Sequence, residues 1–96
     1  MGITRIVWLQ QFEEKCRVKN GVGRDEVDEL FTGAPRLSFV ERGVRRDEDL
    51  YAARGQTQAG RYLVVFFVHK LDGSALIISA RDMSAGERRA YARTRS

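Results

Sequence analysis

The strongest constraint on the fold is a pair of apolar runs in the second half of the chain. The first run, residues 61–71 (RYLVVFFVHKL), is apolar at both odd and even positions, which is typical of a central strand covered on both faces. The second run, residues 74–82 (SALIISARD), also has the composition of a strand. Asp72-Gly73 lies between them and is a strong turn signal. The sequence therefore predicts an antiparallel hairpin.

Shorter patterns on either side of this hairpin predict the remaining elements. Apolar residues at helical spacing predict helices at 10–19 and 24–31, and β-rich runs predict strands at 3–9, 36–42 and 48–56. Ser84, with Glu87 three residues later, forms a capping box that begins a last helix. The order is β-α-α-β-β-β-β-α. We expect an α+β fold in one domain, residues 1–96, whose four sequential strands form an antiparallel meander with the helices covering one face.

Charge separates the two halves of the chain. Residues 1–48 contain 9 of the 17 Lys and Arg residues and 9 of the 13 Asp and Glu residues, so they are neutral. Residues 49–96 contain the other 8 basic and 4 acidic residues, which is the whole net charge of +4. Seven of those eight basic residues are Arg, whose planar guanidinium matches phosphate oxygens. The segregation indicates a phosphate-binding surface or, more simply, a solvated one.

The sequence contains no sign of a membrane span or a secretion signal. No apolar run approaches the roughly 18 residues that a membrane span needs, and the first residues, MGITRIVW, lack the pattern of a signal peptide. The single cysteine, Cys16, excludes an internal disulfide and a cysteine zinc cage. We therefore expect a soluble, cytoplasmic protein without a cofactor.

Segments spread over most of the chain match the pattern of one known family. The most specific is IISARDMSAGERRAY (77–91), which spans a strand, a turn and a helix and has the form I-I-S-A-R followed by E-R-R-x-Y. The others are IVW (6–8), KNGV (19–22), DEVDELF (25–31), Pro35 and QTQAGRYLVVFF (56–67). Together they resemble the BrnT family of bacterial toxins, in the RelE-like group of small ribonucleases. Asn20 departs from the pattern, because the family commonly has His there.

This resemblance implies both a fold and a function. It implies a RelE-like fold and an endoribonuclease toxin that cuts RNA and so blocks translation. It also implies a cognate antitoxin that binds and neutralises the toxin. DNA would be contacted only indirectly, through the antitoxin in the complex.

The residues themselves suggest how RNA could be cleaved. The chain has no acidic cluster at metal-ligand spacing and a single His, so we expect cleavage without a metal. Such cleavage needs a base for the ribose 2′-hydroxyl, positive donors for the phosphorane and an acid for the leaving oxygen. The predicted catalytic residues are Arg81, Arg61, Arg54, His69 and Tyr91, and the predicted RNA contacts are Lys19, Lys70, Arg88 and Arg89, with Arg93 and Arg95 adding to the charge of the last helix.

Arg81 is the strongest of these candidates. Alternation along residues 74–82 predicts that Ala75, Ile77, Ser79 and Arg81 share one face of the sheet, with the arginine at its margin. A structural role is the alternative, as a salt bridge from Arg81 to one of three nearby acids, which are Asp47, Glu48 and Glu87.

The other candidates also have structural interpretations. Arg61 can be interpreted as a charge at the rim of the sheet, and His69 and Tyr91 as packed side chains. We also expect Trp8 and Cys16 to be packed in the core. A non-catalytic RNA- or protein-binding module of the same fold is therefore the alternative function. The enzyme is favoured if the basic candidates converge on one concave surface, a criterion that applies to Arg54, Arg61, Arg81 and Lys70.

Overall fold

The computed structural model describes residues 1–46 and 48–95, with side chains through residue 93. The predicted order β-α-α-β-β-β-β-α is confirmed, and so is the α+β class. No helix among these residues is long and apolar enough to cross a membrane. The elements are β1 (Arg5–Trp8), α1 (Gln10–Asn20), α2 (Arg24–Thr32), β2 (Arg36–Glu41), β3 (Leu50–Gln56), β4 (Tyr62–His69), β5 (Ser74–Asp82) and α3 (Ala85–Arg95).

The strands form a five-stranded sheet in the order β1-β5-β4-β3-β2. The pairs β2–β3, β3–β4 and β4–β5 are all antiparallel, which confirms the meander. The first strand returns beside the last and runs parallel to it, with Arg5 opposite Ser74 and Trp8 opposite Ile77. The sheet is therefore mixed, and the long connection that a parallel pair requires is the whole chain between β1 and β5, residues 9–73.

The predicted hairpin turn joins β4 to β5. The Lys70 N–H donates to the Ser74 carbonyl at 2.9 Å, and the Gly73 N–H donates to the Lys70 carbonyl at 2.9 Å. Gly73 has φ of 89°, a conformation that costs glycine little. The Asp72 carboxylate accepts from the Ser74 N–H at 2.9 Å, which closes the turn.

A bulge in the hairpin overturns one prediction about side-chain direction. Phe66 opposes Ser79, but the next residue, Phe67, opposes Ile77, so Ile78 is an extra residue on β5. An extra residue reverses the alternation beyond it. Ala75 and Ile77 therefore face one side of the sheet, whereas Ser79 and Arg81 face the other, and the prediction that all four share a face is wrong.

The two faces of the sheet are covered unequally. One face carries α1 and α2 and buries the larger core, whose members include Cys16, Val27, Leu30 and Phe67, with Trp8 packed at its edge. The other face holds a smaller cluster around Ala52, Val64 and Met83, against which Tyr91 of α3 packs.

Two expectations about coverage are therefore wrong. The helices do not cover one face only, because α3 crosses to the face opposite α1 and α2. Strand β4 is not fully covered either, since Tyr62, Phe66 and Val68 remain partly exposed on the face against which α3 packs. Tyr91 of α3 packs near the beginning of β4, where its ring meets that of Tyr62.

Candidate nucleic-acid interface

Sheet register brings three arginines into one row on the face opposite α1 and α2. Arg36 of β2 opposes Arg54 of β3, which opposes Val64 of β4, which opposes Arg81 of β5. Directly opposed residues project from the same side of a sheet. We call this surface the basic face and define it by Arg36, Arg54 and Arg81 together with Arg88 of α3.

Arg81 is held in one orientation by Glu87. Its Nη1 donates to Glu87 Oε1 at 2.7 Å, and its Nη2 donates to Glu87 Oε2 at 3.1 Å, which is a bidentate ion pair. Nη1 also donates to the Asp82 carbonyl at 3.0 Å, and the guanidinium carbon lies 5.6 Å from the centre of the Phe66 ring. The hydrogen bonds to Glu87 raise the pKa of Arg81, so its charge is permanent.

The acid partner of Arg81 is thus Glu87. Glu48 instead lies 3.8 Å from Arg45, and Asp47 lies outside the described residues. The salt-bridge interpretation of Arg81 is therefore correct in geometry. It does not remove the arginine from the surface, because 40% of its side chain stays exposed.

Glu87 also begins α3, which confirms the predicted capping box. The Ser84 N–H donates to Glu87 Oε1 at 2.8 Å, and the Glu87 N–H donates to Ser84 Oγ at 3.2 Å. Arg81 lowers the pKa of Glu87 from 4.5 to about 2, with a smaller contribution from Ser84 and with burial opposing both. One carboxylate therefore fixes both the first turn of α3 and the direction of the Arg81 side chain.

Aromatic rings support the arginine at the α3 end of the basic face. The Arg88 guanidinium carbon lies 4.3 Å from the centre of the Tyr62 ring, within cation–π range. The Tyr62 and Tyr91 rings meet edge to face, with centroids 6.1 Å apart. Arg89 lines a shallow pocket with Tyr62 and Arg88, so two of the predicted RNA contacts adjoin one aromatic ring. The side chain of Arg95 lies outside those described.

Arg54 sits in the middle of the basic face. Its Nη1 donates to Ser38 Oγ at 3.0 Å, and its side chain is half-buried. It is one strand away from Val64 and two strands away from Arg81, so the two arginine Cα atoms are about 10 Å apart at ordinary strand spacing.

Arg61, a further catalytic candidate, projects toward the helices on the other side of the sheet. Its Nε donates to Asp82 Oδ1 at 2.7 Å, and its Nη1 lies 3.0 and 3.1 Å from the two carboxylate oxygens of Glu26. Nη1 also donates to the Gly21 carbonyl at 2.7 Å, and Nη2 donates to the Asn20 carbonyl at 3.0 Å. The hydrogen bonds to Asp82 and, secondarily, Glu26 raise the pKa of Arg61, against the opposing effect of burial. Together with the carbonyl contacts they join the α1–α2 turn to the β4–β5 hairpin.

Asn20, the departure from the family pattern, is part of the same junction. Its side-chain Nδ2 donates to the Ala80 carbonyl of β5 at 3.0 Å, while its own carbonyl accepts from Arg61. Asn20 therefore joins the end of α1 to the sheet on the face opposite the basic face.

The remaining candidates lie away from the basic face or at its far end. His69 projects toward the α1–α2 side, where its Nε2 is 3.0 Å from the Gly2 carbonyl and its ring meets Tyr51 edge to face at 6.2 Å. It is five residues along β4 from the partner of Arg81, or about 16 Å. Lys70 is at the β4–β5 turn, and Lys19 is exposed in the last turn of α1.

The fold of this chain has a counterpart among solved structures, although no protein-family model and no curated protein matches the chain. One matching structure is that of the Brucella abortus ribonuclease toxin BrnT, seen in a crystal structure at 1.1 Å resolution. This chain is similar in fold to BrnT. The superposition has a TM-score of 0.57 and covers 83% of this chain and 96% of BrnT, at 17% sequence identity.

The similarity to BrnT confirms the predicted fold. The superposition covers most of a chain whose five-stranded sheet and three helices follow the predicted order. At this identity it does not transfer any individual residue, so the predicted catalytic and RNA-binding residues stay predictions.

Sequence reasoning missed the residues that complete the basic face. Arg36 is added by strand register, and Tyr62 and Phe66 lie beneath Arg88 and Arg81. The signal for the two rings was present, because positions 62, 64 and 66 alternate along β4 and so share a face. Placing Arg81 on that face needed the bulge at Ile78, which leaves no local mark in the sequence.

Proposed function

We propose that this chain is the toxin of a toxin–antitoxin pair, and that it binds and cleaves RNA at the basic face. The observation that carries the proposal is that Arg54 and Arg81 lie on either side of Val64, on the partly uncovered face of the sheet. Its support from outside the chain is the similarity in fold to a ribonuclease toxin.

The spacing of the two arginines suits a single phosphate. Their Cα atoms are about 10 Å apart, and both side chains rise from the same side of the sheet. Two guanidinium groups can then approach one phosphate from opposite sides, which is how developing charge on a phosphorane is stabilised. Arg88 and Arg89 extend the charge along α3 and would contact the RNA backbone on one side of that phosphate.

Arg81 is suited to this task because its orientation is set in advance of RNA binding. The bidentate pair with Glu87 and the contact with Phe66 hold the guanidinium without the reorganisation that a free side chain would need. Tyr91 of α3 packs beside Tyr62 and Val64, and we propose that its hydroxyl group transfers a proton during cleavage.

The same charge offers a surface for the antitoxin. An acidic segment laid over Arg54 and Arg81 would compete directly with RNA for the guanidinium groups. We propose inhibition of this kind by a cognate antitoxin, with RNA cleavage in the cytoplasm and arrest of translation as the cellular outcome.

Measuring RNA cleavage by purified protein, with and without EDTA, tests the proposal. Arg81→Lys keeps the charge but removes the planar fork, so we expect normal folding, most of the RNA affinity, and cleavage about 10²-fold slower. Arg17→Lys, at an exposed position of α1, is the matched control and should cleave normally. Wild-type cleavage that requires a divalent metal, or an unchanged rate for Arg81→Lys, would contradict the proposed mechanism.

A non-catalytic binding module of the same fold is the second candidate. The observation that favours it is the dispersal of the basic candidates, because Arg61 lies on the α1–α2 side and Lys70 at the far turn. The same assay separates the two functions. A binding module would bind RNA or an acidic protein through Arg54 and Arg81 and release no RNA fragments.

A further inference from the structure

Strand β2 forms one edge of the sheet and exposes apolar side chains. It is terminal in the order β1-β5-β4-β3-β2, and across residues 1–46 and 48–95 no strand pairs with its outer side. Phe39 is 55% exposed and Val40 is 42% exposed, although Phe39 contacts Tyr51 edge to face. An open edge with apolar side chains is a template for pairing with another strand.

A bulge in β2 gives this edge a regular pattern of side chains. Phe39 opposes Tyr51 and Glu41 opposes Leu50, so Val40 is the extra residue. Without it, Glu41 would share a face with Leu37 and Phe39. With it, Glu41 projects from the same face as Arg36 and Ser38, while Leu37 and Phe39 project from the other.

This pattern is complementary to itself when the strand is reversed. Consider a two-fold axis perpendicular to the sheet that lies midway between two antiparallel β2 strands, level with Ser38. With Val40 left out as the bulged residue, this axis places Arg36 of one copy opposite Glu41 of the second. The same operation places Leu37 opposite Phe39. Each opposed pair then lies on a common face, as antiparallel pairing requires, and each pair occurs twice, as a two-fold interface requires.

We propose that two copies of this chain associate through their β2 strands, which pair antiparallel and join the two sheets into one continuous ten-stranded sheet. The occupant of the β2 edge is therefore a second copy of the same protein. The argument rests on charge complementarity, because the row that continues from Arg81 through Arg54 to Arg36 is all basic on β2 and β3. Glu41 of the second copy supplies the opposite charge next to two arginines that face each other directly.

The interface has the character of a weak and reversible association. It involves one strand of 6 residues from each copy, which is less surface than a permanent dimer buries. Because the axis is perpendicular to the sheet, the basic faces of the two copies lie on the same side. A consequence that rests on the proposed function is that one RNA could contact both copies.

Sedimentation velocity of the full chain up to about 1 mM tests the association without RNA or antitoxin. We expect a monomer–dimer equilibrium. Arg36→Glu places Glu opposite Glu, and Glu41→Arg places Arg opposite Arg, so each variant alone should dimerise at least about tenfold more weakly. Lys15→Glu and Glu14→Arg, on exposed positions of α1, make the same changes in net charge and should dimerise like the wild type.

Mixing the two β2 variants gives the decisive result. Arg36→Glu has acids at both positions and Glu41→Arg has bases at both, so their mixture should form a heterodimer while neither forms a homodimer. A chain that stays monomeric at the highest concentration overturns the proposal, and so does a dimer that neither variant weakens. If the wild-type chain dimerises but does not cleave RNA, the proposed function is refuted and this inference stands.

Discussion

Glu87 joins the first turn of α3 to strand β5, and replacing it with Gln removes its charge while keeping its length. The carboxylate accepts two hydrogen bonds from Arg81, at 2.7 and 3.1 Å, and one from the Ser84 N–H, at 2.8 Å. An amide oxygen at this position can still accept the Ser84 bond. Glu87→Gln therefore isolates the electrostatic part of the contact from the capping part.

The expected cost follows from the pKa of Glu87. The pKa falls from 4.5 to about 2 in the folded protein, which corresponds to roughly 3 kcal/mol at about 1.4 kcal/mol per unit. Solvent screens the pair, because the Arg81 side chain is 40% exposed. We therefore expect Glu87→Gln to lower the free energy of unfolding by about 1–2 kcal/mol at pH 7.

The effect must also depend on pH, with a defined sign. A carboxylate whose pKa is lowered by folding stabilises the protein fully above its unfolded pKa, near 4.5, and loses that contribution as the pH falls toward 2. The difference between wild type and Glu87→Gln should thus be largest at pH 6–7, and by pH 3 less than about half of it should remain. Other acids titrate in both proteins and cancel.

Urea unfolding of both proteins at pH 7 and pH 3 measures this difference directly. Glu14→Gln, at an exposed position of α1, is the control for loss of a carboxylate. If the wild type and Glu87→Gln differ equally in unfolding free energy at the two pH values, the contact with Arg81 does not lower the pKa of Glu87. The electrostatic account of the α3 start would then be refuted.

Three further predictions concern the helix cap, the Arg61 junction and RNA binding. Ser84→Ala should cost about 1 kcal/mol in thermal unfolding and leave RNA affinity unchanged, because the hydroxyl is used by the Glu87 N–H; a large loss of affinity at unchanged stability would place Ser84 in the site instead. Arg61→Met leaves Glu26 and Asp82 without their shared partner and should lower the free energy of unfolding by about 2–3 kcal/mol. The folded variant should cleave RNA at nearly the wild-type rate, whereas a large loss of cleavage at unchanged stability would show that Arg61 is catalytic. RNA affinity should fall with salt, by roughly 0.7 in the log–log slope for each phosphate neutralised, and affinity that does not change with salt would contradict binding through the basic face.

Local patterns in the sequence were sufficient to predict the elements. The turn at Gly73 and the capping box at Ser84 are set by residues within a few positions of one another, so their chemistry is readable along the chain. The same holds for the order of helices and strands, because apolar periodicity differs between them. The segregation of arginine into the second half is likewise a property of the sequence alone.

Only the tertiary structure decided which of those arginines lie on the same face of the sheet. The bulge at Ile78 moves Arg81 to the face that carries Arg54, and the contacts of Arg61 on the other side remove it from that surface. Both outcomes depend on strand register and on bonds between residues 35 to 41 positions apart, such as those from Arg61 to Glu26 and Asn20. A one-residue shift in register reverses every side chain beyond it, and no local preference records such a shift.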